Sequence, residues 1–482
     1  MKISNMNYDF PQIYPVTAHT DHVGQGSTFV VISGKKEDGM AYIIQAIEKG
    51  ATTVVVALSS ELSQDVLAFA KQKQVTIERV QDTRKELTLR SAAALGFPAK
   101  KLKIIGITGT KGKTSTAYLI YFLLRGLGKR VALLSTAEKL LQDYVVDMPL
   151  TTPLPDDLHM FFGQCVELDI EYVVMEVSAQ ALSMHRVYGL TFEAAAFTNF
   201  SMEHLEFYKN LDEYLQAKVL LFDQVVCPER MFINIDDSYG ADLSKRFPAC
   251  STYSLQNNEA SWFGVVEQQG QKQILQAASA HALYKIPSHL IGIFNMYNLL
   301  VATAIVDAVA GPLIDLADIV ADMPQIPGRM EQYHLKNGAW AYIDYAHNPS
   351  SFQAVLSTLR AQTDHLIVVF GAGGNRDKQK RPMMGAIVDE YADLVIITSD
   401  NPRDEHPGDI AQDILAGFTQ ESVEHKVIQE LNRTKAIELA YQKSRANSVI
   451  AILGKGRDEY QIIGKITFPF KERSIIKPFL KI

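Results

Sequence analysis

Short apolar runs that stop at glycine or at a polar cluster recur along the chain, and between them apolar residues fall three and four apart. The first pattern predicts buried strands and the second predicts helices. Phe29–Ile32 and Thr52–Leu58 read as strands, with a turn at Asp38-Gly39 and a helix over Ala41–Lys49 that stops at Gly50. Ile104–Ile107 reads as a strand and Ala117–Leu124 as a helix. Tyr172–Met175 is a buried strand that ends on Glu176, and Leu211, Leu215, Lys218 and Phe222 share one helical stripe. A short strand precedes Asn234-Ile235-Asp236-Asp237, and Gly292 opens a helix rich in Leu, Ala and Val. Leu366–Phe370, Leu394–Thr398 and Val449–Leu453 are strands that each run into a polar cluster. Strands alternating with helices predict an α/β fold.

Composition narrows the class. A length of 482 residues predicts about three domains. Their expected bounds are 1–102, 103–326 and 327–482. Apolar residues make up 47% of the chain and charged residues 21%, the balance of an ordinary globular protein. A net charge of −7 argues against broad electrostatic binding to nucleic acid. Cys165, Cys227 and Cys250 are scattered without metal or disulfide spacing, which suits a reducing cytoplasm. No apolar leader opens the chain, so a signal peptide is not expected, and no apolar run reads as a membrane span.

The chemistry concentrates after the strand at Ile104–Ile107. Gly109-Thr110-Lys111-Gly112-Lys113-Thr114 lies between that strand and a helix, the arrangement of a phosphate cradle. Glycines let backbone N–H groups approach phosphate oxygens, and the helix N-terminus adds positive potential. Lys113 would reach the β/γ-phosphates of ATP and Thr114 would ligate Mg²⁺. The usual pattern has a glycine where Ile107 stands, so the loop is a variant. Glu176, ending a core strand, suits Mg²⁺ or its water.

Lys218 lies on the apolar stripe of its helix and admits two readings. Its stem snorkels, or its amine is sealed and reacts with CO₂ to give a metal-holding carbamate. The amides of Asn295 and Asn298 either bond a base edge or cap the helix. In the last third, Arg376, Asn401, Arg403 and Asp458 sit in the polar clusters beyond strand ends, where open α/β sheets bind ligands. They suit a zwitterionic or dicarboxylic molecule.

These motifs resemble the Mur ligases, which build the peptide of bacterial cell-wall precursors. The resemblance runs through the loop, Glu176-Val177-Ser178, Asn199 to His204, Tyr214 to Lys218, Asn295, Gly328-Arg329-Met330-Glu331, Asp344-Tyr345-Ala346-His347 and Arg381-Pro382. Folylpolyglutamate synthases share the cradle and the lysine but lack the long N-terminal domain. The resemblance implies a UDP-sugar domain, a P-loop central domain and a Rossmann-like C-terminal domain. It implies that ATP phosphorylates a carboxylate and that an amine then attacks the acyl phosphate. Lys113, Glu176, His204 and Lys218 would be catalytic, with Thr114, Glu176, His204 and carbamylated Lys218 at the metal. Gly109, Thr110, Lys111, Gly112, Lys113, Thr114, Asn295, Arg329 and His347 would serve ATP. Thr20, Thr151, Thr152, Ser178 and Arg186 would hold a UDP-N-acetylmuramoyl dipeptide. Arg376, Asp400, Asn401, Arg403, Gly454 and Asp458 would take the incoming amino acid. The form of Asp400-Asn401-Pro402-Arg403 points to meso-diaminopimelate, with L-lysine or another amino acid as the alternative. A cytoplasmic monomer is expected.

The sequence departs from the family at substrate positions. His19-Thr20-Asp21 stands for Asp-Ser-Arg, Ser178-Ala179-Gln180 for Ser-Ser-His, and Met184 for a glutamine. Gly454-Lys455-Gly456-Arg457-Asp458 stands for Gly-Lys-Gly-His-Glu. Altered substrate contacts leave open a Mur-type ligase for another acid and amine, or a nucleotide-binding scaffold; the complete ATP and metal set favours an enzyme.

Overall fold

The computed structural model describes residues 8, 10–34, 38–201, 207–269 and 272–481. They form two compact units, 1–288 with 296–323 and 289–295 with 324–482.

The first unit holds two sheets. In the smaller one, Val16–Thr17, Thr28–Val30, Thr53–Ala57 and Thr76–Val80 pair in parallel and in chain order. Phe29, Val54 and Val56 pack on Ile43 and Ile47 beneath it. The helix expected over 41–49 is divided. A 3-10 turn, Gly39–Tyr42, is capped by the Asp38 side chain, and an α-helix, Ile43–Glu48, follows. Gly50 turns the chain at a φ of 107°, which favours glycine.

This sheet is tied to the helix Pro155–Glu167 through two adjacent acids. Thr17 Oγ1 and the Ala18 N–H donate to Asp156 Oδ2 at 2.8 and 3.1 Å, and the Tyr14 hydroxyl donates to Asp157 Oδ1 at 3.1 Å. Both acids lie in the first helical turn, where the dipole favours negative charge. Burial, then the neighbouring Asp156 charge, push the Asp157 carboxyl up to about 6. The native state therefore binds a proton that the unfolded chain releases near pH 4, and stability falls as pH rises through 4 to about 6. Asp157→Asn keeps the acceptor for Tyr14 and removes the buried charge. Discounted for partial exposure, the gain at about pH 7.5 is on the order of 1 kcal/mol, or about 2 °C in melting temperature. Melting curves at about pH 4.5 and about pH 7.5 check this, because a gap of equal size at both would contradict the assignment.

The larger sheet carries the loop. Its order is Leu283–Ser288, Lys272–Ser279, Trp262–Gln269, Ser251–Ser254, Met231–Asn234, Ala194–Phe197, Lys103–Thr108, Tyr172–Glu176, Val131–Leu134, Lys139–Leu141, Tyr144–Val145. The middle strands are parallel and the edges antiparallel. Every residue of Val131–Leu134, Tyr172–Glu176 and Ala194–Phe197 is buried, and all but Glu176 are apolar. The helix Lys113–Gly126 is apolar around its circumference and buried from Thr114 to Leu124, so it is a core helix. It ends before Gly128, whose φ is 75°. The helix Ile293–Ala310 is long and apolar enough to cross a membrane by length and composition, contrary to the expectation that no run would be. Two-thirds of it (67%) is buried in the fold.

In the second unit the sheet order is Glu331–His334, Trp340–Asp344, Val449–Leu453, Leu366–Phe370, Leu394–Ile397, Val427–Gln429. Only the first strand is antiparallel to its neighbour. The parallel strands thus deliver the loops after Asp344, Phe370, Ile397 and Leu453 to one edge.

Candidate active site

The loop between Thr108 and Lys113 is braced from the neighbouring strand end. Gly109 has a φ of 137°, and a Cβ there would lie 2.0 Å from Thr198 Oγ1. Thr198 Oγ1 in turn donates to Lys111 O at 2.6 Å. Asn199 pairs reciprocally with Lys111. Its Oδ1 accepts from the Lys111 N–H at 3.0 Å and its Nδ2 donates to Lys111 O at 3.1 Å. Thr110 N–H donates to Asn199 O at 2.8 Å. Gly112, φ 81°, opens the helix and has no side chain with which to cap it. A Cβ on Gly112 would lie 2.5 Å from Asn298 Oδ1, which also accepts from Thr116 Oγ1 at 3.2 Å. Lys113 Nζ donates back to Gly109 O and Thr110 O at 2.9 and 2.8 Å.

Lys218 is 1% exposed and does not snorkel. Its Nζ donates to Gly109 O at 2.8 Å and lies 4.4 Å from the Tyr214 ring centre. Its helix ends at Val219, and Phe222 falls in a following 3-10 turn.

Glu176 pairs in register with Ile107 and is 1% exposed. Its carboxylate accepts from the Thr136 N–H at 2.6 Å and from Thr136 Oγ1 at 3.1 Å. Thr136 Oγ1 also lies 3.0 Å from Thr151 Oγ1. Thr152 Oγ1 donates to Glu176 O at 2.9 Å and accepts from the Ser178 N–H at 3.1 Å. Ser178 Oγ caps the helix Ala179–Ser183 through the Ala181 N–H. Arg186 donates to Thr152 O at 2.9 Å and is 8% exposed. Burial, then the charge of Arg84, lower its pKa, and among the described residues its Nε finds no acceptor. A buried guanidinium with no acid against it among the described residues suits a carboxylate ligand. Thr114 and Glu176 present oxygen donors alone, the set that Mg²⁺ prefers. His204 lies outside the described residues, as do its neighbours 202–206.

A cavity of about 680 Å³ opens at the carboxyl edge of the smaller sheet, lined by Ser33, Gln81, Thr83, Arg84, Lys85 and Tyr188. Thr20 lies in the 3-10 turn Thr20–His22, where its carbonyl accepts from Lys49 at 2.9 Å.

In the second unit the loops at the sheet edge converge. Gly328, φ 64°, packs so closely that a Cβ would lie 2.4 Å from the Arg457 nitrogen. The Asp344 carboxylate accepts from the Met330 and Ala346 N–H groups, both at 2.7 Å. The Arg329 guanidinium stacks 4.7 Å from the Tyr345 ring centre. His347 is exposed and donates from Nδ1 to Tyr345 O at 2.7 Å. Asn295 Nδ2 donates to Ile291 O at 2.8 Å, one turn back. Asn298, by contrast, braces the loop through its Oδ1, which accepts from Thr116.

Lys455 is fully buried. Its Nζ donates to Asn401 Oδ1 at 2.9 Å and to Tyr460 O at 2.8 Å, and lies 3.7 Å from Asp400. A Cβ on Gly454 would lie 2.6 Å from Asp400 Oδ2. Burial, then the Asp400 charge, raise the Asp458 pKa, and the Tyr460 hydroxyl bonds the same carboxyl. Arg403 (φ 52°) donates to Gly374 O at 2.9 Å, and both it and Arg376 flank Gly373. Burial, then the charge of Arg376, lower the Arg403 pKa. Two carboxylates, Asp400 and Asp458, thus lie close to each other, and two guanidinium groups, Arg376 and Arg403, lie together beside Gly373.

The middle segment, residues 107–306, matches the Mur ligase middle domain, and residues 328–456 match the Mur ligase glutamate ligase domain. A UDP-N-acetylmuramoyl-L-alanyl-D-glutamate–2,6-diaminopimelate ligase of Clostridium perfringens (strain 13 / Type A) is 36% identical over 100% of this chain and 95% of its own length. The chain belongs to the Mur ligase family. The Aquifex aeolicus (strain VF5) ligase of the same description is also 36% identical, over 99% and 95% of the two chains. A solved structure of a ligase so described superposes with a TM-score of 0.67 at 26% identity, covering 97% of this chain and 94% of that one. A Mycobacterium tuberculosis folylpolyglutamate synthase shares the fold at a TM-score of 0.63 and 20% identity, covering 77% of this chain and 92% of that one.

Several residues of this Mur ligase brace the site from strand ends. Thr198 and Asn199 follow the strand Ala194–Phe197, and Thr136 follows Val131–Leu134. Polar residues just past a buried strand were the available signal. Arg381, quoted only as motif, is fully buried and bonds Glu405 and Asp413 at 2.9 and 2.8 Å. It holds Glu405 down at about 2 and thereby fastens the Asn375 N–H that Glu405 accepts.

Proposed function

We propose that this Mur ligase joins meso-diaminopimelate to UDP-N-acetylmuramoyl-L-alanyl-D-glutamate in an ATP-driven, cytoplasmic step of peptidoglycan precursor synthesis. The observation that carries the reading is Lys218, sealed beside the phosphate loop with its Nζ on Gly109 O. The division of labour follows the expected bounds: 1–102 for the nucleotide sugar, 103–326 for ATP, 327–482 for the amino acid.

The loop N–H groups and Lys113 bind the triphosphate. The γ-phosphoryl group passes to the substrate carboxylate, giving ADP and an acyl phosphate. The amine attacks the acyl carbon, the tetrahedral adduct expels phosphate, and the nitrogen loses its proton. Thr114, Glu176, His204 and carbamylated Lys218 would hold Mg²⁺, which neutralises charge on the transferring phosphoryl group. Arg186 and Thr151 orient the dipeptide carboxylate, with Thr152 and Ser178 fixing the backbone beneath them. Arg84 and Lys85, in the cavity of the smaller sheet, offer positive charge to the diphosphate. Arg376 and Arg403 face a carboxylate of the incoming amino acid, and Asp400 and Asp458 face its ammonium. Asn401 spends its oxygen on Lys455 and on the Ile462 N–H (2.9 Å), so its amide nitrogen is what it offers a ligand.

Arg403→Ala should raise the KM for diaminopimelate about 10- to 100-fold, the worth of a charge-assisted hydrogen bond, and leave that for ATP within about twofold. Steady-state kinetics with each substrate varied in turn test the reading. Equal effects on both constants would remove Arg403 from the amino-acid site.

A further inference from the structure

The hydroxyl of Thr136 stands between two residues to which the proposed function gives different ligands: Glu176 at the cation and Thr151 at the dipeptide. Its backbone N–H is committed to Glu176 Oε1 at 2.6 Å. Its Oγ1 lies 3.1 Å from Glu176 Oε2 and 3.0 Å from Thr151 Oγ1. A hydroxyl has one proton to give and lone pairs to receive, whereas a carboxylate only receives. Thr136 is the donor in both contacts, so while its one proton is on Glu176, Thr151 receives none from it and its own proton can be drawn back toward Thr136 Oγ1. Thr151 then turns lone pairs toward its other side, the wrong polarity for an anionic ligand.

The opposite arrangement, with Thr136 donating to Thr151, is the direction the 3.0 Å contact favours. If Glu176 Oε2 is committed to a cation, the Thr136 proton turns to Thr151 Oγ1. The Thr151 proton is released and points to an external acceptor. No atom need move beyond two hydroxyl rotations. Glu176 and Thr152 are themselves pinned, since Thr152 Oγ1 bonds Glu176 O and the Ser178 N–H.

We infer that Thr136 is a positioning residue, a hydroxyl relay that makes Thr151 a donor to the dipeptide carboxylate when a divalent cation occupies Glu176. The inference rests on the proposed roles of Glu176 and Thr151. It predicts that the cation and the UDP-muramoyl dipeptide each tighten the binding of the other, and by the same factor.

Thr136→Val removes the hydroxyl and keeps the shape and the N–H bond to Glu176; Thr136→Ser keeps the hydroxyl. Titration calorimetry of full-length protein with Mg²⁺, with the UDP-muramoyl dipeptide, and with each in the presence of the other gives the coupling factor without turnover. Charge attraction alone contributes to coupling in every variant. The relay adds the worth of one hydrogen bond, so the factor should fall about fivefold in the Val variant and return in the Ser variant. Each ligand alone should bind the Val variant within about threefold of the parent. A coupling factor unchanged in the Val variant, with both ligands binding the parent, would overturn the relay and leave the proposed function standing. A parent protein that binds neither ligand would remove both.

Discussion

Lys218→Ala and Lys218→Arg should each lower turnover by at least about 10³-fold, several kcal/mol of lost charge stabilisation at the transferring phosphoryl group. The two variants divide the possible roles. The ammonium donates to Gly109 O at 2.8 Å from a site 1% exposed, so a purely structural lysine would serve the loop as a cation. Arginine keeps that cation but stays protonated and does not form a carbamate. If both variants are inactive, the two oxygens of a carbamate are what the reaction needs. If arginine retains turnover, the bond to Gly109 O is the function and the carbamate is not. Melting curves for both variants exclude simple unfolding as the cause.

The second large effect is expected at Gly109. Its φ of 137° is one that a side-chain-bearing residue rarely adopts, and a Cβ would meet Thr198 Oγ1 at 2.0 Å. Alanine must push Thr198 away, and with it the 2.6 Å bond that holds Lys111 O. Strain at such a position is worth about 1–3 kcal/mol, and the Lys111 bond about 1 more. Gly109→Ala should therefore cut kcat/KM for ATP by about 10²- to 10³-fold. Gly128→Ala is the control. Its φ of 75° is also positive, yet a Cβ there meets nothing within 4 Å. It should cost about 1 kcal/mol of stability and leave ATP kinetics alone. Similar kinetic losses in the two variants would mean that backbone strain, and not the Thr198 contact, governs the loop.

The strand–loop–helix around Lys113 is legible in the sequence because each part has a local cause. The apolar run buries, the glycines turn, and the all-apolar segment after Thr116 can only be a core helix. The loops beyond Phe370, Ile397 and Leu453 are legible for the same reason. The bracing is not. Thr116 and Asn298 are 182 residues apart, and Lys111 and Asn199 are 88 apart. Nothing local distinguishes a threonine that holds a loop from one that faces water. Lys218 shows the limit from the other side. Helical spacing placed it on the apolar stripe, but a snorkelling stem and a sealed amine share that spacing, and only the carbonyl of Gly109 separates them. The acid pair at Asp156 and Asp157 carries no local sign of burial, because its partners Tyr14 and Thr17 lie far away in the chain.

The most direct measurement is the mass of the product. The protein is given ATP, Mg²⁺ and UDP-N-acetylmuramoyl-L-alanyl-D-glutamate, with meso-diaminopimelate, L-lysine or L-ornithine in separate reactions. One new species is expected, the dipeptide plus diaminopimelate less one water, formed only with ATP and only with diaminopimelate. A product with lysine or ornithine alone, or none while ATP binds, would contradict it.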